Sequence, residues 1–311
     1  MKVKEKNISK IYFFKFICFI SYLLLNLSFK QIKVKEIKVC LCSPGKNENR
    51  YIKEFVEHYK NYGVDKIFLY DNNDLDGEFF QQEINNYIKS NFVEIINFRG
   101  KIRPLFDMMN DCYKKNFKNY DWLIFFEMDE YIHLNNFKNI KKFLNNDKFN
   151  NCQKIQLNWV IHTDNNLLYY ENRPLKERFP EIEDKAKKNN INTNIFIKCI
   201  LKGHIPNIKI RSVHSLNHNL QSCDGFGNYV KDKGPFASHP DFRNYYIDHY
   251  TFKSTEEFVN KLNKGDALFK DNRLFRIQIY FKFNKATKEK IKLIEEGTGF
   301  NLSTIRKKIK T

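Results

Sequence analysis

The sequence predicts an α/β protein built on an open, mostly parallel sheet flanked by helices. Two observations carry this. Strand-like and helix-like patterns alternate along the first half of the chain, from Glu36 to Glu130. One apolar run, Trp122-Leu123-Ile124-Phe125-Phe126, is bounded by polar residues as a buried strand is, and it leads directly into three acids, Glu127, Asp129 and Glu130. Open α/β sheets bind ligands at the carboxyl ends of their strands. Carboxylates two apart on an extended chain point the same way and can share one hard divalent cation. The plainer alternative is a strand followed by a solvated acidic turn.

The elements follow in order. Residues 1–10 carry Lys2, Lys4, Lys6 and Lys10, and residues 11–29 are almost wholly apolar, broken by Lys15, Ser21, Asn26 and Ser28. A membrane-spanning helix needs about 20 apolar residues, and Lys15 near the start can snorkel. Residues 1–35 are therefore expected to be a cytoplasmic tail and signal-anchor helix, with 36–311 as one translocated domain. That makes a single-pass type II membrane protein, in the Golgi or secretory pathway of a eukaryote or at the inner membrane of a bacterium. A cleaved leader is the alternative, but no small-residue cleavage site stands out.

Residues 37–42 read as the first strand and Ser43-Pro44-Gly45-Lys46-Asn47 as a turn. Helical spacing of Ile52, Phe55, Val56 and Tyr59 predicts a helix over 48–62, stopped by Gly63. A second strand at 66–70 closes in Asp71-Asn72-Asn73-Asp74. Helix 79–88, strand 92–96 and helix 104–117, with Pro104 in its first turn, lead to the central strand at Trp122. Beyond Glu130 the regularity weakens. Strands are expected at 155–161, 195–200, 208–213 and 245–250, helices at 255–262 and 285–296, and loops at 165–190 and 221–240.

Composition bounds the function. The chain has 311 residues and a formal charge of +18, from 54 basic and 36 acidic side chains. The lysines are scattered among Asn, Ile, Phe and Tyr rather than clustered, which reads as compositional bias. No nucleic-acid-binding signature is present, so nucleic acid is not an expected partner. Seven cysteines include no Cys-x-x-Cys, so zinc or redox chemistry is not indicated. Cys40 and Cys42 share one side of a strand, and Cys40 and Cys112 read as buried thiols. A disulfide in an oxidising lumen is open, without a readable connectivity.

Four clusters would converge at the mouth of such a sheet. Asn47-Glu48 ends the first strand, either favouring a helix dipole or touching a ligand. Asp71-Asn72 follows the second strand, where an acid accepts hydrogen bonds from a ribose or merely forms a turn. Glu127 and Asp129 are the candidate metal carboxylates. His249 is a candidate late metal ligand, or simply a satisfied buried histidine.

These residues also carry a resemblance. Asn47-Glu48-x-x-Tyr51-Ile52-x-Glu54-Phe55-x-x-x-Tyr59, then Gly63 through Asp71-Asn72, resembles the opening of family 92 glycosyltransferases and related family 2-like enzymes. Cys112 through Glu127-Met128-Asp129-Glu130-Tyr131, Glu177-Arg178-Phe179, and His249-Tyr250-x-x-Lys253-Ser254-x-x-Glu257-Phe258-x-x-Lys261 resemble its later blocks, in order. Two departures are Glu127 where the family pattern has Asp, and Tyr131 where it has Phe.

The resemblance implies a GT-A-type fold, a UDP-sugar donor (often UDP-galactose), Mn2+, and inverting transfer of a hexose to a glycan or glycoconjugate acceptor. It makes Asn47, Glu48, Asp71, Asn72 and Lys253 donor-binding candidates and Glu127, Asp129 and His249 metal candidates. Inverting transfer needs a base, for which Asp164 and Glu177 are the first candidates and Asp224 and Asp241 the others. Lys202 and Arg211 are further candidates to steady the diphosphate, and Trp159 to stack on an acceptor sugar. A non-catalytic glycan- or nucleotide-sugar-binding protein on the same fold is the competing reading.

Overall fold

The computed structural model describes residues 36–182, 196–265, 272–303 and 305. The expected N-terminal anchor lies outside them. No helix among the described residues is long and apolar enough to cross a membrane.

The chain is mixed α/β, with a central sheet flanked by helices. Its first half builds β1 (Val39–Gly45), α1 (Asn49–Asn61), β2 (Lys66–Asp71), α2 (Gln81–Lys89), β3 (Val93–Asn97), α3 (Leu105–Asn116) and β4 (Trp122–Phe125). Each expected element of this half is present within a few residues of its predicted ends. The second half contributes β5 (Glu130–Leu134), α4 (Ile140–Leu144), β6 (Lys154–Ile161), α5 (Leu175–Arg178) and β7 (Ile197–Lys202). Two short strands, β8 (Ser222–Cys223) and β9 (Tyr229–Val230), precede β10 (Tyr245–His249), α6 (Thr255–Asn263), α7 (Arg273–Phe283) and α8 (Lys288–Thr298).

The strands lie in the order β3-β2-β1-β4-β7-β6-β10-β5. The first four are parallel, as short right-handed strand–helix–strand units require. The rest of the sheet is mixed rather than mostly parallel. β7 runs antiparallel to both β4 and β6, and β5 antiparallel to β10.

Alternation along β1 explains the layers. Val39 and Leu41 face α1 and α2, packing with Ile52, Phe55 and Ile84. Cys40 and Cys42 face α3, packing with Met108, Met109 and Cys112. With period two, each face of a doubly covered strand must be apolar. Gly63 has φ +82°, and a Cβ there would stand 2.4 Å from the Asn139 amide, so the turn after α1 needs glycine.

Three expectations are corrected. Cys112 is not a free thiol but is bonded to Cys42, and Cys152 to Cys223; Cys40 and Cys199 are buried thiols. Residues 208–213 form no strand. Instead the Asn110 side chain on α3 bonds both the N–H and the C=O of Ile210, at 2.8 and 3.0 Å, doing what a neighbouring strand would do. The 221–240 loop is tied to the sheet through β8, which pairs with β6.

Candidate active site

The acids at the end of β4 sit in a tight link to β5, closed by Glu130 N–H donating to Glu127 C=O at 3.0 Å. β5 then leaves for the far edge of the sheet and pairs with β10, with His249 opposite Glu130. Tyr250 N–H also donates to Asp129 C=O at 2.9 Å. This pairing carries His249 to Asp129 across 120 positions of sequence. Its Nε2 is 3.6 Å from Asp129 Oδ2.

Each acid of the link has a different environment. Asp129 is buried, which by itself would raise its pKa, but Lys261 and His249 outweigh burial and hold it well below the usual carboxylate range. Lys261 Nζ donates to Asp129 Oδ2 at 2.5 Å. Burial would likewise raise Glu127, and Lys198 outweighs it; their ion pair is 2.6 Å. Glu130 is sealed off completely, and burial pushes its carboxyl up to about 8. Burial also holds His249 below its usual value, against the pull of Asp129.

The expected Mn2+ can be tested against this arrangement. Two donors on one octahedral cation stand about 3 Å apart, given bonds of about 2.1 Å. Asp129 Oδ2 and His249 Nε2, at 3.6 Å, approach that spacing. The other ring nitrogen of His249, Nδ1, is buried without a hydrogen-bond partner. Among the described residues no third metal-capable side chain joins them. The pair fits a cation that takes its remaining ligands from phosphate and water, as Mg2+-like ions commonly do. Glu127 is turned toward Lys198 rather than toward this pair.

A cleft of about 550 Å3 opens over the strand ends. Its floor is Pro44, Gly45 and Asn72, and its walls include Glu127, Met128, Asp129, Trp159 and His214. Lys46, Glu48, Asp74, Lys261 and Lys264 line it too, and these five are shared with an adjoining cleft of about 460 Å3 that reaches Asn47 and Lys253. A Cβ on Gly45 would meet Met128 Cε at 2.3 Å, so the floor admits only glycine without a shift of Met128.

The donor-binding candidates divide. Glu48 is buried and pairs with Lys264 and, at 3.3 Å, with Lys253. Lys253 has φ +56°, uncommon for a non-glycine residue, and its ammonium lies 3.4 Å over the Tyr51 ring. Asn72 lines the larger cleft, and its Oδ1 has no partner. Asp71 differs from expectation. Its Oδ2 pairs with Arg99 at 2.9 Å and its Oδ1 accepts from Asn73. Arg99 also donates to the carbonyls of Asp74, Leu75, Gly77 and Glu78, so Asp71 fastens this loop to the end of β2.

Neither first-choice base reaches the cleft. Asp164 is buried against α7 and α8, where Oδ2 takes Lys290 and Tyr280 at 2.5 Å each and Oδ1 accepts from Asn166 N–H. Glu177 is exposed on α5 and lines neither cleft. Asp224 and Asp241 are spent on the N–H groups of their own turns. Lys202 donates to Asn150 C=O, and neither it nor Arg211 lines the clefts.

His214 went unnoticed in the sequence because nothing local marks it. It lines the cleft, packs edge-on against Trp159 and tilted against Phe196, and its Nδ1 is 2.9 Å from Ile197 C=O. A carbonyl only accepts, so Nδ1 carries the proton and Nε2 is left with a lone pair. Burial pushes the imidazole down to about 4, so it is neutral at neutral pH.

Comparison with known proteins places this geometry in context. Residues 35–290 match the family described as glycosyltransferase family 92. A Ricinus communis protein described as a glycosyltransferase family 92 protein is 25% identical over 133 residues, 42% of this chain and 23% of that one. The chain thus spans under a quarter of the length of the curated relative it matches. Among solved structures, S. aureus TarS is similar with a TM-score of 0.33 and 12% identity, over 79% of this chain and 43% of that one. A complex of S. aureus TarS with UDP gives a TM-score of 0.34 and 12% identity, over 84% and 70%.

Proposed function

Because this chain belongs to glycosyltransferase family 92, we propose that it moves a hexose, galactose favoured, from a UDP-sugar to a glycan acceptor with inversion, on a GT-A-type fold. The observation that supports this reading is the meeting of Asp129 and a set of lysines in one cleft at the carboxyl ends of parallel strands, with the buried His249 imidazole 3.6 Å from the Asp129 carboxylate.

In this reading Asp129 and His249 would hold Mn2+, which when bound would supply positive charge to the departing diphosphate. Lys261 and Lys264 line the same space and face the diphosphate, where fixed cations matter most in a water-poor site. Asn72 lines the same cleft and is placed to meet the nucleoside. The acceptor hydroxyl attacks the anomeric carbon from the face opposite the phosphate. The bond to phosphate breaks, and the hydroxyl proton passes to His214 Nε2. The bulk of Trp159 beside His214 offers an apolar surface for the acceptor ring. We further infer that residues 1–35 anchor the chain in a membrane as a type II protein. The two disulfides suit an oxidising lumen.

The test is calorimetric titration of the full chain in detergent with UDP-galactose, UDP-glucose and UDP-GlcNAc, with Mn2+ and with EDTA, repeated on Asp129→Ala. Binding of one UDP-sugar that is lost with EDTA and in the variant supports the assignment and names the donor. Absence of binding in every condition sinks it. Binding without transfer to any glycan would move the protein to the non-catalytic reading.

A further inference from the structure

Lys261 stands in an unusual position for a lysine near a cation site. It projects from the last turn of α6, and its ammonium hydrogens are all engaged. One goes to Asp129 Oδ2 at 2.5 Å, and the others to the carbonyl and the hydroxyl of Thr251, both at 3.1 Å. This is a seated charge rather than a surface side chain. The helix that carries it is itself fixed by a capping box of Ser254 and Glu257, and Glu257 is bonded to Arg178. The oxygen that Lys261 holds is the same Oδ2 that His249 approaches at 3.6 Å.

A divalent cation bonded to that oxygen would lie within about 4 Å of the ammonium, where like charges repel strongly in a partly desolvated cleft. The free protein has therefore already neutralised its metal carboxylate with a cation of its own. A diphosphate reverses the balance, because its oxygens give the ammonium another partner and draw the cation in. Lys264 cannot take over the role at Asp129, since its ammonium is held by Glu48 and by Lys46 C=O.

We propose that Lys261 is an internal counter-ion that keeps the Asp129–His249 pair closed to free metal and yields it only when a nucleoside diphosphate arrives, so that metal and nucleotide bind interdependently. This rests on the reading of the cleft as a metal–diphosphate site. Lys261 also meets the diphosphate in that reading, and the effect proposed here is on the equilibrium binding of metal and nucleotide.

The experiment measures free Mn2+ by electron spin resonance while Mn2+ is titrated into the full chain, with and without UDP. Wild type, Lys261→Gln and Lys261→Arg are compared, with circular dichroism to verify folding. Wild type is expected to bind Mn2+ about tenfold or more tightly when UDP is present, and by linkage Mn2+ tightens UDP by the same factor. Lys261→Gln is expected to bind Mn2+ alone about tenfold more tightly than wild type, with most of the coupling gone, and Lys261→Arg to resemble wild type.

Equal Mn2+ affinity of unliganded wild type and Lys261→Gln overturns the proposal. So does equal Mn2+ affinity of wild type with and without UDP, a comparison that needs no variant and decides the matter if Lys261→Gln does not fold. Failure of UDP to bind wild type under any condition is a different result, because it overturns the reading of the cleft itself.

Discussion

Arg178 Nη1 donates to Glu257 Oε2 at 2.7 Å, and both side chains are almost fully removed from solvent. The pair joins α5 to α6 across 79 positions of sequence. Glu257 also accepts from the Tyr51 hydroxyl on α1 and from the N–H of Ser254. Tyr51 in turn carries the Lys253 ammonium on its ring, and Lys253 meets Glu48. A buried ion pair thus stands behind the lysines that line the clefts.

Arg178→Ala leaves Glu257 buried without its counter-ion. It is expected to cost about 3–5 kcal/mol of stability, read from urea unfolding. Arg178→Met with Glu257→Leu should recover only part of that loss, since two apolar side chains leave no uncompensated charge but strip the Tyr51 hydroxyl and the Ser254 N–H of their acceptor. A single variant within about 0.5 kcal/mol of wild type would show that the pair contributes little.

The pH dependence of that pair has a definite sign. Burial would raise Glu257, but bonds from Ser254, Tyr51 and Arg178 outweigh it and lower its pKa. A carboxylate with a lowered folded-state pKa adds stability above its unfolded pKa of about 4.3 and loses it as pH falls through the folded value. The stability gap between wild type and Glu257→Gln should therefore be constant from pH 7 to about 5 and shrink below about 4. Chemical unfolding at a series of pH values reads this directly; a gap that widens in acid contradicts it.

Asp164 and Lys290 give a contrasting forecast. Both are buried, with about 1–2% of each side chain exposed. Asp164→Asn should lower stability by about 3–5 kcal/mol through the stranded Lys290. Turnover per folded molecule should stay within about threefold of wild type, a difference well under what loss of a base produces. Comparing kcat, corrected for folded fraction, with the melting temperature separates the two roles.

His214→Gln should behave in the opposite way. Removal of a general base lowers kcat by about 10²–10⁴-fold, while UDP-sugar affinity measured by calorimetry stays unchanged and the fold is retained. An unaltered kcat would place the proton acceptor elsewhere on the cleft wall.

The cysteine pairing can be read by mass mapping without reductant. Peptides joined through Cys42–Cys112 and Cys152–Cys223 are expected, with Cys40 and Cys199 alkylated only after unfolding. Replacing Cys152 and Cys223 by Ser should cost about 4 kcal/mol, as expected for closing a loop between residues 71 positions apart. Any other pairing contradicts the placement of α3 against β1 or of Cys152 beside β8.

The sequence by itself determined the first half of the fold and the place of its ligand-facing end. Ile52, Phe55, Val56 and Tyr59 on one face of α1, the two-sided burial of β1, and the run from Trp122 into Glu127 and Asp129 are local patterns set by the periods of helix and strand. The ordered blocks around Glu48, Asp129, Arg178 and His249 carried the family. Which partner each charged side chain meets is not a local property. Asp71 and Asp164 read as functional acids because an isolated Asp after a strand looks the same whether or not a cation waits for it. Only the tertiary structure brought Arg99 onto Asp71 and Lys290 onto Asp164. The same holds for Lys261, which reaches Asp129 from 132 positions away because β10 pairs with β5 and hands the chain into α6. In a buried site the charge of a group is decided by its nearest partners, and those are chosen by packing between segments that no short-range pattern relates.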